Sequence, residues 1–225
     1  KQTLPIYSLK FPSLLKKEIN TFKEFKKFVN KNKNSVYLIG PGAGVSLNTM
    51  KKTIYLLKNI KYVILDADAL TSFKQKTKNL QKLLNEDKII TPHVKEFKTI
   101  FPDLKKINNY TKLILLAAKK IKATIVLKGN KTLIANSKKI LINSKSSNEL
   151  AVIGTGDVLA GIISSLVGEK KMKPIEAASA GVWIHSKIGK KSGVGLISED
   201  LIRQLQPILK KLYGRFIKQR TSKKS

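Results

Sequence analysis

Ile153-Gly154-Thr155-Gly156-Asp157-Val158-Leu159-Ala160-Gly161 sets two glycines and a threonine directly before an apolar run that continues through Ile162, Ile163, Leu166 and Val167. The run has helical spacing, with Ser164 and Ser165 off the apolar stripe. Gly154 to Asp157 therefore read as a glycine loop opening a helix. Such a place has amides without an intrahelical acceptor and the positive end of the helix dipole, and it attracts anions, phosphate above all. Glycine lets the backbone approach a ligand with no Cβ in the way. Asp157 is the unusual member. A carboxylate in the first turn suits the helix, but beside a phosphate it repels the ligand unless it has a task. One such task is to take the proton from a hydroxyl that attacks the phosphoryl group. On spacing alone, a plain helix cap competes with that reading.

Upstream, four apolar runs each end in a loop able to face the same ligand. Val36-Tyr37-Leu38-Ile39 leads into Gly40-Pro41-Gly42-Ala43-Gly44 and a helix over 47–57. Tyr62-Val63-Ile64-Leu65 leads into Asp66-Ala67-Asp68-Ala69-Leu70, and a helix carrying Leu80, Leu83 and Leu84 follows. Acids at the carboxyl end of a buried parallel strand lie where α/β ligand sites form, and two of them can hold Mg²⁺ through its waters. Ile89-Ile90 runs into Thr91-Pro92-His93, then a helix over 94–101. A helix over 108–121, with Tyr110, Leu113, Ile114, Ala117 and Ala118 facing inward, precedes the strand Thr124-Ile125-Val126-Leu127, which ends in Lys128-Gly129. Residues 132–135 and 140–142 read as an antiparallel pair. Helices are expected from Pro174 to about Lys190 and over 198–212, the latter capped by Ser198. His185, inside an apolar helical pattern, reads as structural. At the amino end, residues 1–12 look extended, Ser13 caps a weak helical segment, and 21–29 form a helix.

The repeated order strand, loop, helix predicts an α/β domain: a mostly parallel sheet covered on both faces, with a small antiparallel strand pair. One domain is expected over 1–212, with a solvated basic tail over 213–225. The ligand loops 40–44, 66–68, 91–93, 128–132 and 154–157 should gather at one end of the sheet.

Composition narrows the function. The chain has no cysteine, hence neither disulfides nor thiol chemistry. No apolar run approaches the roughly 20 residues of a membrane span, and the first residues lack the apolar core of a signal peptide. A cytoplasmic protein without a membrane partner is expected. The formal charge of +31 comes from 45 Lys and Arg against 14 Asp and Glu. Arginine, the residue of bidentate base readout, is confined to Arg203, Arg215 and Arg220. Aromatic residues do not interleave with the basic runs as a stacking platform would. A main role in nucleic-acid binding is not expected, although a basic field draws in nucleotides.

Five stretches in this order resemble one family: Gly-Pro-Gly-Ala-Gly (40–44), Val-Ile-Leu-Asp-Ala-Asp-Ala-Leu (63–70), Ile-Thr-Pro-His…Glu-Phe (90–97), Val-Leu-Lys-Gly-Asn-Lys-Thr (126–132) and Gly-Thr-Gly-Asp-Val-Leu-Ala-Gly-Ile-Ile (154–163). They look like the NAD(P)H-hydrate dehydratases, ribokinase-like proteins that are often the carboxyl-terminal half of a larger repair enzyme. The resemblance implies that ADP or ATP, with Mg²⁺, phosphorylates the ring hydroxyl of hydrated NADH or NADPH, and that phosphate then leaves to restore the double bond. It implies Asp157 as the base. Lys128, Gly129, Asn130, Lys131, Thr132, Gly154, Thr155 and Gly156 would hold the nucleotide. Gly42, Gly44 and His93 would contact the hydrated dinucleotide, and Asp66 and Asp68 would organise the metal. A homo-oligomer is expected. A kinase of a small alcohol on the same fold is the nearest alternative, and a basic nucleic-acid binder a more distant one. The chain departs from the family pattern at Val94-Lys95, Ile153 and Thr71, and residues 1–35 hold no counterpart of its opening strand, Gly-Gly-Ser turn and helix. The expectation is therefore a chain without the family's first βαβ unit, as a fragment or by loss.

Overall fold

The computed structural model describes residues 9, 11–144, 148–169 and 171–221. The chain forms two compact units, Lys1–Lys33 and Asn34–Ser225. In the first, helix α1 (Phe22–Lys31) starts at a capping box: the Thr21 hydroxyl accepts the Glu24 amide at 3.1 Å, and Glu24 Oε2 accepts the Thr21 amide at 3.4 Å. The weak helix expected after Ser13 does not form. Leu14 and Leu15 are exposed, and a short segment with no buried face does not repay helix nucleation. The extended segment expected over 1–12 falls largely outside the described residues.

The second unit is built on six strands: β1 (Tyr37–Ile39), β2 (Val63–Leu65), β3 (Lys88–Ile90), β4 (Thr124–Leu127), β5 (Thr132–Ala135) and β6 (Ile140–Asn143). Their order in the sheet is their order in the chain. The first four run parallel, with Leu38 beside Ile64, Ile64 beside Ile89 and Ile90 beside Ile125. β5 and β6 continue antiparallel, with Val126 opposite Ile134 and Leu133 opposite Ile142. Between the parallel strands lie α2 (Leu47–Asn59), α3 (Asp68–Thr71), α4 (Thr77–Leu83), α5 (Val94–Ile100) and α6 (Tyr110–Ile121). Right-handed crossovers between adjacent parallel strands send their helices to one face. The opposite face is left to α7 (Thr155–Gly168) and α8 (Pro174–Ser192), which follow β6.

The core shows that division. Ile64, Ile89, Val126 and Ile134 pack with Leu159, Ile163 and Val167 of α7 and with Ile175, Ala178 and Val182 of α8. Val63, Leu65, Ile90 and Ile125 alternate to the other face, and all are buried. The expected α/β class, with parallel strands, an antiparallel pair and helices on both faces, is the observed one.

Two helix ends differ from expectation. Helix α6 begins at Tyr110, capped by Asn109 Oδ1 accepting the Lys112 amide at 3.0 Å. Tyr110 is thus the first helical residue and faces solvent at 42% exposure instead of pointing inward. Helix α9 (Ser198–Thr221) runs through Pro207 and past 212, so the expected basic tail is helical to Thr221, and 222–225 lie outside the described residues. The Lys- and Arg-rich run favours helix strongly enough to absorb Gly214. Its amino end is tied by Asp200 Oδ2 accepting the Ile197 amide, while the Ser198 hydroxyl donates to Glu199.

Candidate active site

The carboxyl ends of β1 to β4 deliver their loops to one edge of the sheet, and packing sets them closely. Gly40 has φ +131°, and a Cβ there would lie 1.7 Å from the Asp66 carbonyl oxygen. Only glycine fits, so the β1 loop sits directly on the β2 loop. Next to it Ala67 has φ 45° and ψ −119°, a conformation that non-glycine residues rarely adopt and that holds about 1–3 kcal/mol of strain. This turn leaves Asp66 1% exposed and Asp68 half-buried, where its Oδ2 accepts the Gly44 amide at 2.8 Å.

Across the sheet end, Lys128 Nζ donates to Asp66 Oδ1 at 2.7 Å. Asp66 Oδ2 is buried and without a hydrogen-bond partner among the described residues. The same ammonium lies 3.4 Å from where a Cβ on residue 156 would stand, so glycine there leaves it room against the start of α7. Asp157, on the first turn of α7, has its carboxyl pushed above the ordinary range. Burial contributes most, then the negative charge of Asp66, with Asp68 adding and Lys128 opposing. Three carboxylates and one ammonium therefore act on one another at this edge.

Helix α7 opens as its glycines predict. Gly154 is the N-cap at φ +87°, in the left-handed region, and α7 has no side-chain cap. Helix geometry leaves the amides of Gly156 and Asp157 without intrahelical acceptors. The Thr155 hydroxyl lies 2.7 Å from the Leu150 carbonyl and 2.8 Å from the Val152 carbonyl and shares its one proton between them, which braces the loop ahead of the helix. From α8, His185 bonds the Thr155 carbonyl through Nε2 at 2.9 Å. As Nε2 faces an acceptor it carries the hydrogen, and burial lowers the imidazole pKa to about 4, so the ring is neutral. His185, expected to be structural, holds the Thr155 carbonyl and also forms part of the cleft wall.

A cleft of about 480 Å³ opens at this edge. Of the residues expected to hold a nucleotide, Lys128, Gly129, Asn130, Thr132, Thr155 and Gly156 line it; Lys131 and Gly154 stand outside its lining. Asn148, Leu150 and Ser186 line it too, and none of them carried a motif signal. His93 lies on its border and on that of a second cavity of about 350 Å³, toward α3 and α5. The His93 ring also caps α5: its Nδ1 accepts the Lys95 and Glu96 amides at 3.1 and 3.3 Å, and Glu96 Oε2 accepts the His93 amide at 2.9 Å. His-x-x-Glu is capping-box spacing, a signal present in the sequence. Gly42, Gly44, Asp66, Asp68 and Asp157 lie outside both linings. Among the described residues, no group of three His, Cys, Asp or Glu side chains is arranged to hold a metal ion.

Residues 8–207 match the family of NAD(P)H-hydrate dehydratases. The chain belongs to that family. The ADP-dependent (S)-NAD(P)H-hydrate dehydratase of Nitrosopumilus maritimus is 32% identical over 180 residues, covering 75% of this chain and 60% of that protein. The chain thus spans somewhat under two thirds of this relative. Among solved structures, a ribokinase-like superfamily protein from Enterococcus faecalis superposes with a TM-score of 0.78 at 25% identity, covering 93% of this chain and 74% of that one. The ADP/ATP-dependent NAD(P)H-hydrate dehydratase of Bacillus subtilis, co-crystallised with ATP and Mg²⁺, superposes with a TM-score of 0.70 at 22% identity, covering 93% and 78%. The fold of this dehydratase-family chain is ribokinase-like. No helix among its described residues is long and apolar enough to cross a membrane.

Proposed function

We propose that this chain restores NADH and NADPH from their hydrates, with ADP or ATP as phosphoryl donor. The observation that carries the proposal is the placement of Asp157: a solvent-accessible carboxylate on the first turn of α7, one residue after Gly156, against which the Lys128 ammonium lies. A carboxylate made more basic is better able to take a proton from an alcohol. The substrate hydroxyl gives its proton to Asp157 while its oxygen bonds to the terminal phosphorus. The bond from that phosphorus to the rest of the nucleotide breaks, and its electron pair leaves with AMP or ADP. The amides of Gly156 and Asp157 and the Lys128 ammonium face the charge that develops on the transferred group. The ring C–O bond then breaks with its electron pair on phosphate, a far better leaving group than hydroxide. Loss of a proton from the neighbouring ring carbon restores the double bond.

The cleft beside Lys128, Gly129 and Thr132 suits the donor nucleotide. His93 and the Gly42–Gly44 turn are assigned to the dinucleotide. Mg²⁺ fits as an ion carried on the nucleotide's phosphates. Mg²⁺ keeps several waters and takes one or two carboxylates, and the half-buried Asp68 is suited to reach it through water. Bound there, it neutralises phosphate charge. Asp66, 1% exposed and already holding an ammonium, does not fit as a direct ligand. The test is Asp157→Asn: turnover should fall about 10²–10⁴-fold while the Kd for ADP stays near wild type. Turnover within a few-fold of wild type would remove Asp157 as the base.

A further inference from the structure

Beyond its negative charge, which raises the Asp157 pKa, Asp66 has no part in the proposed chemistry. Asp66 is 1% exposed, its Oδ1 lies 2.7 Å from Lys128 Nζ, and the Lys128 side chain is 23% exposed. The two residues follow β2 and β4, which flank β3, so the pair spans three strands of the sheet edge. The Asp66 end is held by backbone. Gly40 lies against its carbonyl, its amide donates to Ile39 O at 3.2 Å, and the Ala67 turn sets its direction. The lysine end reaches the start of α7, where Gly156 leaves it space. A lysine carries its charge on a flexible four-carbon stem and wanders unless tethered.

Resting on the phosphoryl-transfer reading, we infer that Asp66 is a positioning residue: its carboxylate holds the Lys128 ammonium beside Gly156, where it meets the transferred phosphoryl group. Asp66 then acts through Lys128 and not through Mg²⁺. Asp68, two residues on, has its Oδ2 on a loop amide and is left for the hydrated ion. The consecutive acids of the Asp-Ala-Asp turn divide their work between a lysine inside and a metal outside.

The experiment is a double-mutant cycle on ADP affinity, by calorimetry in the presence of a chelator, with wild type, Asp66→Asn, Lys128→Met and the double variant. Thermal unfolding first confirms that each folds. Lys128→Met should weaken ADP about tenfold, the loss of one charged hydrogen bond. Asp66→Asn should weaken it several-fold, and the double variant should bind no worse than Lys128→Met. In turnover, Asp66→Asn should lower kcat and leave the Mg²⁺ concentration for half-maximal rate unchanged. Losses that multiply in the cycle, or a raised Mg²⁺ requirement in Asp66→Asn, would overturn the inference. If Asp66→Asn does not fold, Asp66→Glu moves the tether by one methylene; kcat should drop with ADP affinity kept, and an unchanged kcat counts against the inference. The binding arm needs no hydrated dinucleotide. A chain that shows the coupling yet repairs no hydrate would refute the dehydratase reading alone.

Discussion

Replacing Gly40 with alanine tests whether the β1 and β2 loops are as tightly joined as the structure implies. A Cβ at this position would stand 1.7 Å from the Asp66 carbonyl oxygen, 2.7 Å from its carbonyl carbon and 3.1 Å from Ala69 Cβ. Ordinary contact begins near 3.4 Å, so the two loops would have to separate by roughly 1.7 Å, the difference of these distances. The obstacle is backbone, which no rotamer change relieves. Overpacking of this kind costs about 1–3 kcal/mol, and a non-glycine residue at φ +131° adds about 1–3 kcal/mol. About 4 kcal/mol is the central expectation, a fall in Tm of roughly 8–16 °C for a chain of this size. Gly42→Ala is the control. It also has positive φ, +62°, but nothing stands within 4 Å of its Cβ, so only left-handed strain applies, about 1 kcal/mol and roughly 2–4 °C. Thermal unfolding of both variants by circular dichroism decides the matter. Equal Tm shifts would refute the contact with Asp66, because φ alone would then account for both.

His185 sets a pH dependence of stability. Its folded pKa of about 4 lies below the unfolded 6.5, so the unfolded chain takes up a proton first as pH falls. The stability tied to the neutral ring is fully present above pH 6.5 and drains away between 6.5 and 4, by about 3 kcal/mol at most. Denaturant titrations across that range should show the slope in wild type and a flatter profile in His185→Gln, whose amide can still donate to the Thr155 carbonyl. Lys88 is buried at 2% exposure and its Nζ donates to the carbonyls of Ile60 (2.6 Å) and Lys61 (2.7 Å), just past the end of α2. Lys88→Met strands both acceptors and should cost about 1–3 kcal/mol in urea unfolding, with ADP affinity unchanged. No loss of stability would mean that water or a neighbour replaces the ammonium.

What the sequence disclosed and what it concealed separate by distance along the chain. The start of α7 was legible because everything that makes it is local: Gly154 in the left-handed region, then an apolar stripe from Leu159 to Val167. The shared edge of the five loops was legible too, since apolar strands in a βα repeat bring their carboxyl ends together. Asp66 and Lys128 are 62 residues apart, and their meeting depends on the register of β2, β3 and β4. Both acids of the Asp-Ala-Asp turn therefore read alike in the sequence, although one is inside and the other half-buried. The direction of the Thr155 hydroxyl was hidden for a related reason. It is decided by the carbonyls of Leu150 and Val152, whose positions a loop sequence does not specify. His93 shows the opposite case. Glu96 three residues later is a local capping-box signal on which no expectation drew, and the ring caps α5 while bordering the cleft.

In the proposed reaction this fold phosphorylates a nicotinamide hydrate in order to dehydrate it. The most direct measurement is to incubate the protein with NADH hydrate, Mg²⁺ and either ADP or ATP, and to follow the absorbance of the reduced nicotinamide together with the release of phosphate. Absorbance and phosphate should rise together, one for one, with a nucleotide present, and both should stop in Asp157→Asn. A phosphorylated dinucleotide that accumulates without regaining absorbance, or no reaction with either nucleotide, would contradict it.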